Sequence, residues 1–230
     1  MREFFVAQGG DRPIFEWRWV ERNTDLIWQK LGEHISLTAI SLGIGLVVSI
    51  ALAMLSLRWR WFYAFSIGLT GSLYVIPSLA AFALLVPFFG LTSTTTAVIP
   101  LASYTLLILL RNIVTGIDQV PQEVKEAAIG MGFTPRRLLL QVELPLALPV
   151  VIAGLRVAAV TTIGLVTVTS MLGKGGLGDF IRKGIQTATP NSTQIIVGVG
   201  LSIVLAVLVD LLLWLSERAL APWARKARVR

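Results

Sequence analysis

The chain has 230 residues, of which 55% are hydrophobic and 14% charged, and its mean hydropathy is +0.76. Soluble domains carry about 25% charged residues, so this composition excludes an ordinary soluble protein and indicates one that lies in a membrane. The net charge of +7 would also suit a nucleic-acid binder. Because Lys and Arg collect on the cytoplasmic side of membrane proteins, we expect no nucleic-acid partner.

Cysteine is absent, and His34 is the only histidine. Disulfides and thiolate metal sites are therefore excluded, and one imidazole does not build a metal site by itself. A membrane-embedded enzyme would need clustered His, Asp or Glu within the apolar runs, and the sequence has almost none there. We expect no metal site and no catalytic residues.

Five long runs with few or no charged residues follow one another along the chain. A helix needs about 20 mainly apolar residues to cross the hydrocarbon core of a bilayer. The runs predict an all-α, polytopic membrane protein with about five transmembrane helices, at 34–57, 61–86, 95–117, 146–172 and 192–215. Pro77 lies inside the second run, where its ring and missing N–H should kink or break the helix.

These spans divide the chain into three regions. Residues 1–33 mix charges of both signs with tryptophan, and two interpretations are open: an amphipathic segment at the membrane interface, or a poorly ordered tail. Residues 34–217 form the expected transmembrane domain. Residues 218–230 form a basic tail.

The basic residues indicate how the spans are oriented. The arginines of 218–230 place the C-terminus in the cytoplasm. Counting back through five spans puts Arg58, Arg60 and the polar stretch 119–145 in the cytoplasm as well, and the N-terminus outside. Residues 173–190 also carry basic residues and would lie outside, but the rule is a bias summed over loops and we keep this orientation.

The polar stretch 119–145 interrupts the apolar pattern between the third and fourth runs. Pro121 suits the first turn of a helix, Gly132 suits a helix end, and Thr134 suits the cap of a second helix. We expect that second helix to give way to the fourth span at Pro145. The stretch therefore predicts a helix–turn–helix on the cytoplasmic surface, either an ordinary loop or a docking element for another protein.

The spacing of residues in this stretch resembles the EAA motif of the permease subunits of ATP-binding-cassette (ABC) importers. That motif reads Glu-Ala-Ala, three residues, Gly, nine residues, Ile-x-Leu-Pro, and only the valine at position 142 departs from it. The resemblance covers about 34–217 and implies a compact ABC permease fold like that of methionine importers. It also implies a coupling loop with these site residues: Glu126, Ala127, Ala128, Gly132, Val142, Leu144 and Pro145.

The resemblance implies partners as well. ABC permeases work as pairs, either homodimers or heterodimers, in a bacterial or archaeal cell membrane, with two ATPase subunits and an extracytoplasmic solute-binding protein. The separate ATPase would bind ATP and magnesium. A nucleotide-binding loop needs G-x-x-x-x-G-K-[ST], and the nearest candidate, Gly173-Lys174-Gly175, lacks the Ser or Thr that would hold magnesium. We therefore expect no cofactor in this chain.

The substrate class is suggested by three further stretches. SLYVIPSLA, LRNIVTGI and GGLGDFIRKGIQ resemble segments of osmoprotectant permeases, which carry glycine betaine, choline or carnitine. Two alternatives remain open: the same class of permease importing methionine or another small solute, and an ATP-independent secondary carrier. A secondary carrier often shows inverted repeats, and the sequence shows none.

Other candidate residues fall into two groups. Tyr74, Pro77 and Arg156 are candidates for the gate or pathway. For Arg156, pairing across the permease dimer is also open, and the alternative to both is that its guanidinium extends to the membrane interface. Gly175, Gly176, Gly178 and Asp179 are candidates for an external gate or a binding-protein contact. The alternative for that loop is a purely structural turn.

Overall fold

A computed structural model of the chain describes residues 14–187 and 191–223. The expectations for residues 1–13 and for most of the basic tail, at 224–230, lie outside the described residues. The described residues form helices and no strand, as the composition predicted. The helices are α1 (Trp17–Arg22), α2 (Thr24–Arg58), α3 (Arg60–Val75), α4 (Ser78–Phe89), α5 (Thr94–Asp118), α6 (Gln122–Gly130), α7 (Pro135–Leu138), α8 (Leu144–Val168), α9 (Gly178–Gln186) and α10 (Ser192–Leu220), with a π turn at Leu139–Glu143 and a 3-10 turn at Thr169–Leu172.

Within these residues, four helical stretches are long and apolar enough to cross a membrane. They are α2, α5, the continuous helix Pro135–Leu172 and α10. Helices α3 and α4 meet the same criteria only together, and they are bent by 92° at the break between them. If the bent pair counts as one span, the total is the five that the sequence predicted.

The first span is longer than expected. Helix α2 begins at Thr24 rather than near residue 34, so the break from α1 lies at Asn23 and residues 24–33 belong to the same helix as the span. The extra turns are polar, but the charges of Lys30 and Glu33 are paired: the Lys30 ammonium lies 2.7 Å from the Glu33 carboxylate and 2.5 Å from that of Asp179. The charges that suggested a boundary are therefore compatible with a continuous helix.

Helix α2 packs on α5 through a stripe of small residues. Ser41, Gly45, Ser49 and Ala53 recur every four residues and are all buried. A Cβ added at Gly45 would collide with the side chain of Thr105 on α5. Small residues at this spacing let membrane helices approach closely, which is how helices pack where the lipid is as apolar as their side chains.

The break in the second span lies at Ile76 and Pro77, as predicted for the proline. Helix α3 ends at Val75 and α4 begins at Ser78. The hydroxyl group of Tyr104, on α5, donates a hydrogen bond to the carbonyl of Ile76. A carbonyl freed by a broken helix must be satisfied inside a membrane, and this contact does so.

Two apolar clusters define the two ends of the bundle. At one end Leu37 of α2 packs with Leu101 of α5 and Val166 of α8. At the other end Ala53 of α2 packs with Ile113 of α5, beside the start of α8. We call the first the loop end, because the glycine-rich loop lies there, and the second the coupling end, because the polar stretch lies there.

Candidate functional site

The polar stretch 119–145, here called the coupling segment, begins with a helix that has defined ends. The carbonyl of Pro121 accepts the N–H groups of Val124 at 3.1 Å and Lys125 at 3.3 Å, which starts α6. Gly132 has φ +82°, and its N–H donates to the carbonyl of Ile129 at 2.9 Å. A left-handed glycine just past a helix satisfies its last carbonyls, so the predicted end of this helix is confirmed.

The second half of the coupling segment differs from the prediction. Thr134 caps the next helix as expected, since its hydroxyl accepts the N–H of Arg137. The helix does not end at Pro145, however, because Pro135–Leu172 is one continuous helical stretch. Proline is tolerated in the first turn of α8, and the preceding π turn, Leu139–Glu143, absorbs the change in hydrogen bonding.

Lys125 ties the coupling segment to the transmembrane helices. Its ammonium group lies 3.0 Å from the carboxylate of Glu143 and donates to the carbonyl of Ile117 at 3.2 Å. Three elements therefore meet at one half-buried charge: α6, the π turn that leads into α8, and the end of α5. A displacement of α6 would be transmitted to both spans through these contacts.

The motif residues do not share one face. Glu126, Ala127 and Gly132 are exposed, whereas Ala128 is buried against the chain. Val142, Leu144 and Pro145 are half-buried in the continuous helix, and Leu144 packs in the apolar cluster of the coupling end. Only the first part of the motif is therefore available to a partner, and the last part links the segment to α8.

Sequence reasoning missed the apolar residues on the exposed side of the coupling segment. Ile129 and Met131 are 56% and 71% exposed, and Val124 is exposed as well. Large apolar side chains in a polar surface segment mark an interaction site more often than scattered ones do. The signal in the sequence was the placement of these three residues among charges in and directly after α6.

The glycine-rich loop is buried rather than open. Gly175, Gly176, Gly178 and Asp179 are all buried. Gly176 has φ +49°, and a Cβ there would lie 2.6 Å from the Cβ of His34. These glycines allow the loop to pack on α2 and α8, so as a correction the four residues do not offer an exposed surface. The exposed residues at this loop are Met171 and Gly173, beside the half-exposed Lys174.

His34 fixes this loop, a role that the sequence did not suggest. The N–H of Leu177 donates to its Nδ1 at 3.3 Å, so Nδ1 is the acceptor and Nε2 carries the proton. Nε2 in turn donates to the carbonyl of Ile163 at 3.1 Å. With the Lys30–Asp179 ion pair, this buried imidazole holds the loop against α2 and α8.

The break in the second span presents one aromatic side chain outward. Tyr74 is exposed, and its ring meets that of the buried Tyr104 edge to face, with centroids 5.8 Å apart. Tyr104 also binds the carbonyl at the break. Tyr74 and Pro77, both singled out from the sequence, therefore lie at one structural feature.

Arg156 is paired within the chain. Its Nε and one terminal nitrogen each donate to the carboxylate of Asp210 at 2.8 Å, a bidentate contact between α8 and α10. The Glu217 carboxylate lies 3.9 Å from the same guanidinium. The side chains of Arg156 and Asp210 remain 28% and 38% exposed. Arg156 alone was a candidate from the sequence, and its pairing with Asp210 within one subunit was not predicted.

A metal centre finds no support in residues 14–187 and 191–223. No group of three His, Cys, Asp or Glu side chains comes close enough there to hold an ion. The features that the structure does show are an exposed helix tied to α5 and α8, a broken span, and an ion pair between α8 and α10.

Comparison with known proteins identifies the family. The model of the family "binding-protein-dependent transport system inner membrane component" matches residues 36–222. The choline transport system permease protein OpuBB of Bacillus subtilis (strain 168) is 38% identical over 157 residues, which cover 68% of this chain and 70% of that protein. The carnitine transport permease protein OpuCB of Listeria monocytogenes is 39% identical over 166 residues, which cover 71% of this chain and 74% of that protein.

Solved structures confirm the fold. A structure of the MetNI methionine ABC transporter, in an inward-facing conformation, matches with a TM-score of 0.75 and covers 87% of this chain and 98% of that one. Its sequence is 21% identical, so the likeness shows the fold alone. The expected methionine-importer-like permease fold is thus confirmed, and the chain belongs to the family of binding-protein-dependent transport system inner membrane components.

Proposed function

We propose that this chain forms the translocation pathway of an ATP-driven importer for a small osmoprotectant such as glycine betaine, choline or carnitine. The observation that carries this proposal is the identity of 38–39% with choline and carnitine transport permeases over more than two thirds of the chain. A third relative, the glycine betaine/carnitine/choline transport system permease protein OpuCD of Bacillus subtilis (strain 168), is 40% identical over 157 residues, 68% of each chain. The methionine alternative is supported only by the likeness in fold to the methionine transporter.

The proposed motor is a separate ATPase that binds ATP and magnesium and seats against α6. The exposed part of the motif, Glu126, Ala127 and Gly132, supports this site, as do the exposed apolar side chains of Ile129 and Met131. Closure of two ATPase subunits around ATP would move α6, and the Lys125 contacts would carry the movement into α5 and α8. The spans would then alternate between inward-facing and outward-facing states.

The proposed pathway runs along the side of the bundle where Arg156 and Asp210 lie. Ionised side chains are costly within a bilayer and rarely face lipid. Because this pair is partly exposed on the chain, its open side is proposed to face either water in the pathway or the second permease subunit. The break at Pro77, with the exposed Tyr74 beside it, is the proposed gate.

The proposed orientation puts the coupling segment and the C-terminus in the cytoplasm of a bacterial or archaeal cell, and the N-terminus outside. The arginines near the coupling end support it. A solute-binding protein would then approach the loop end. Since the glycines of that loop are buried, its contacts there would be made by Met171, Gly173 and Lys174.

The solute class is tested by uptake into vesicles that contain the chain, its ATPase and its binding protein. We expect ATP-dependent uptake of labelled choline, carnitine or glycine betaine, and none of methionine. Vesicles that lack only this chain are the control for leakage. Uptake of methionine alone would contradict the osmoprotectant assignment while leaving the class of transporter in place.

A further inference from the structure

A cavity of about 480 Å³ opens at the coupling end, between the end of α2, the end of α5 and the coupling segment. One part of its wall is apolar, formed by Met54, Leu57, Ile117 and Leu139. Another part is charged. The cavity is thus amphipathic, with space for a ligand that has both a charged group and an apolar part.

The charges of the cavity wall favour an anion. Lys125 and Glu143 neutralise each other at 3.0 Å. Arg58 and Arg136 form no ion pair with any residue that the structure describes, and Asp118 is the one carboxylate of the wall left to oppose them. A smaller cavity of about 200 Å³ shares Leu57 and Asp118 with this one and adds Arg60. The site therefore has an excess of guanidinium groups.

The depth of the cavity matches the boundary between headgroups and hydrocarbon. Trp59 and Trp61 are exposed directly beside Arg58, and tryptophans of membrane proteins concentrate at the headgroup level. Met54 precedes Arg58 by about one helical turn, so the apolar wall starts roughly 6 Å deeper. A free anion would use only the charged part, whereas a phospholipid would use both parts.

We propose that this cavity binds an anionic phospholipid, with its phosphate between Arg58 and Arg136 and an acyl chain along Met54 and Leu57. Basic pockets between transmembrane helices are suited to such headgroups. The lipid would contact both α2 and the coupling segment, so its binding would affect the position of that segment relative to α2. The inference rests on the proposed function only where it assigns the lipid to the cytoplasmic leaflet.

The test uses the full chain alone, purified in mild detergent, with phosphatidylglycerol and phosphatidylcholine of identical acyl chains added in equal amounts. Native mass spectrometry measures which lipid is retained. We expect the wild type to retain one phosphatidylglycerol in preference to phosphatidylcholine. The double variant Arg58→Gln/Arg136→Gln should lose this preference, by about fivefold for each arginine.

Two control variants separate charge from structure. Arg137→Gln removes an exposed arginine next to Arg136 that does not line the cavity, and it should keep the preference. Arg58→Lys/Arg136→Lys keeps both charges and should keep most of it. An undiminished preference in the glutamine double variant, or an equal loss in Arg137→Gln, would overturn the proposal.

Two further arms identify the occupant. Inorganic phosphate at millimolar concentration should not displace the lipid, and displacement would show a site for a free anion instead. Addition of the ATPase subunit should leave the lipid bound, and its release would show that the cavity belongs to the seat of that subunit. Neither arm measures transport, so a failure of the lipid site is distinguishable from a failure of the proposed function.

Discussion

Replacing Glu126 with alanine is expected to reduce solute uptake by at least about tenfold, a loss of roughly 1.4 kcal/mol at the docking contact, while the helices stay folded. Glu126 is exposed, and its carboxylate accepts a hydrogen bond of 3.2 Å from the side-chain amide of Gln122. Exposed substitutions of this kind usually change stability by less than about 0.5 kcal/mol. The loss should therefore appear in coupling, measured as uptake and as ATP hydrolysis stimulated by the binding protein in the same vesicles.

A glycine pair supplies a matched comparison for the coupling segment. Gly132→Val places a β-branched residue at φ +82°, a conformation that such residues rarely adopt, and should also uncouple. Gly130→Ala changes a helical glycine with open space around it, and should leave uptake intact. The substitution Glu21→Ala, an exposed acid at the loop end, controls for charge. Wild-type uptake and stimulated ATPase activity in Glu126→Ala and Gly132→Val would contradict the docking assignment.

Removing one partner of the Arg156–Asp210 pair is expected to have the second large effect. Arg156→Leu leaves the Asp210 carboxylate without its bidentate partner within the membrane, with Glu217 nearby. An uncompensated charge there is costly, so we expect lower thermal stability of the purified subunit and uptake reduced by about tenfold or more. Thermal unfolding and uptake are measured on the same preparation.

Double variants separate a structural role of the pair from a role in the pathway. Arg156→Leu/Asp210→Leu removes both charges, and we expect it to recover stability but not uptake. The exchanged pair, Arg156→Asp/Asp210→Arg, should recover part of both. If the double leucine variant transports at the wild-type rate, the ion pair only joins α8 to α10 and the pathway lies elsewhere.

Local chemistry explains which parts of the fold could be predicted from the sequence. Pro77 breaks its helix because it has no N–H to donate and its ring crowds the preceding turn, and Gly132 and Thr134 end and begin helices by their own backbone and side-chain properties. The spans follow from hydropathy over about 20 residues. Each of these signals lies within a few residues of the feature that it predicts.

The features that the sequence did not reveal depend on contacts between distant residues. His34 meets Leu177 across 143 positions, and Arg156 meets Asp210 across 54. The glycine-rich loop was a candidate for a gate or a binding-protein contact, but its small residues let it pack against His34. The start of α2 was misplaced because the partner that compensates Lys30, Asp179, lies far along the chain.

The central claim is that this chain transports solute with energy from a separate ATPase, and its source of energy is the most direct test. Sealed vesicles containing the chain, the ATPase and the binding protein are placed in a solution of labelled choline or glycine betaine. Accumulation of the label inside them is measured with ATP, or with an imposed sodium or proton gradient. The account predicts accumulation with ATP and none with either gradient alone. Accumulation driven by a gradient, in vesicles without the ATPase, would show a secondary carrier and contradict the account.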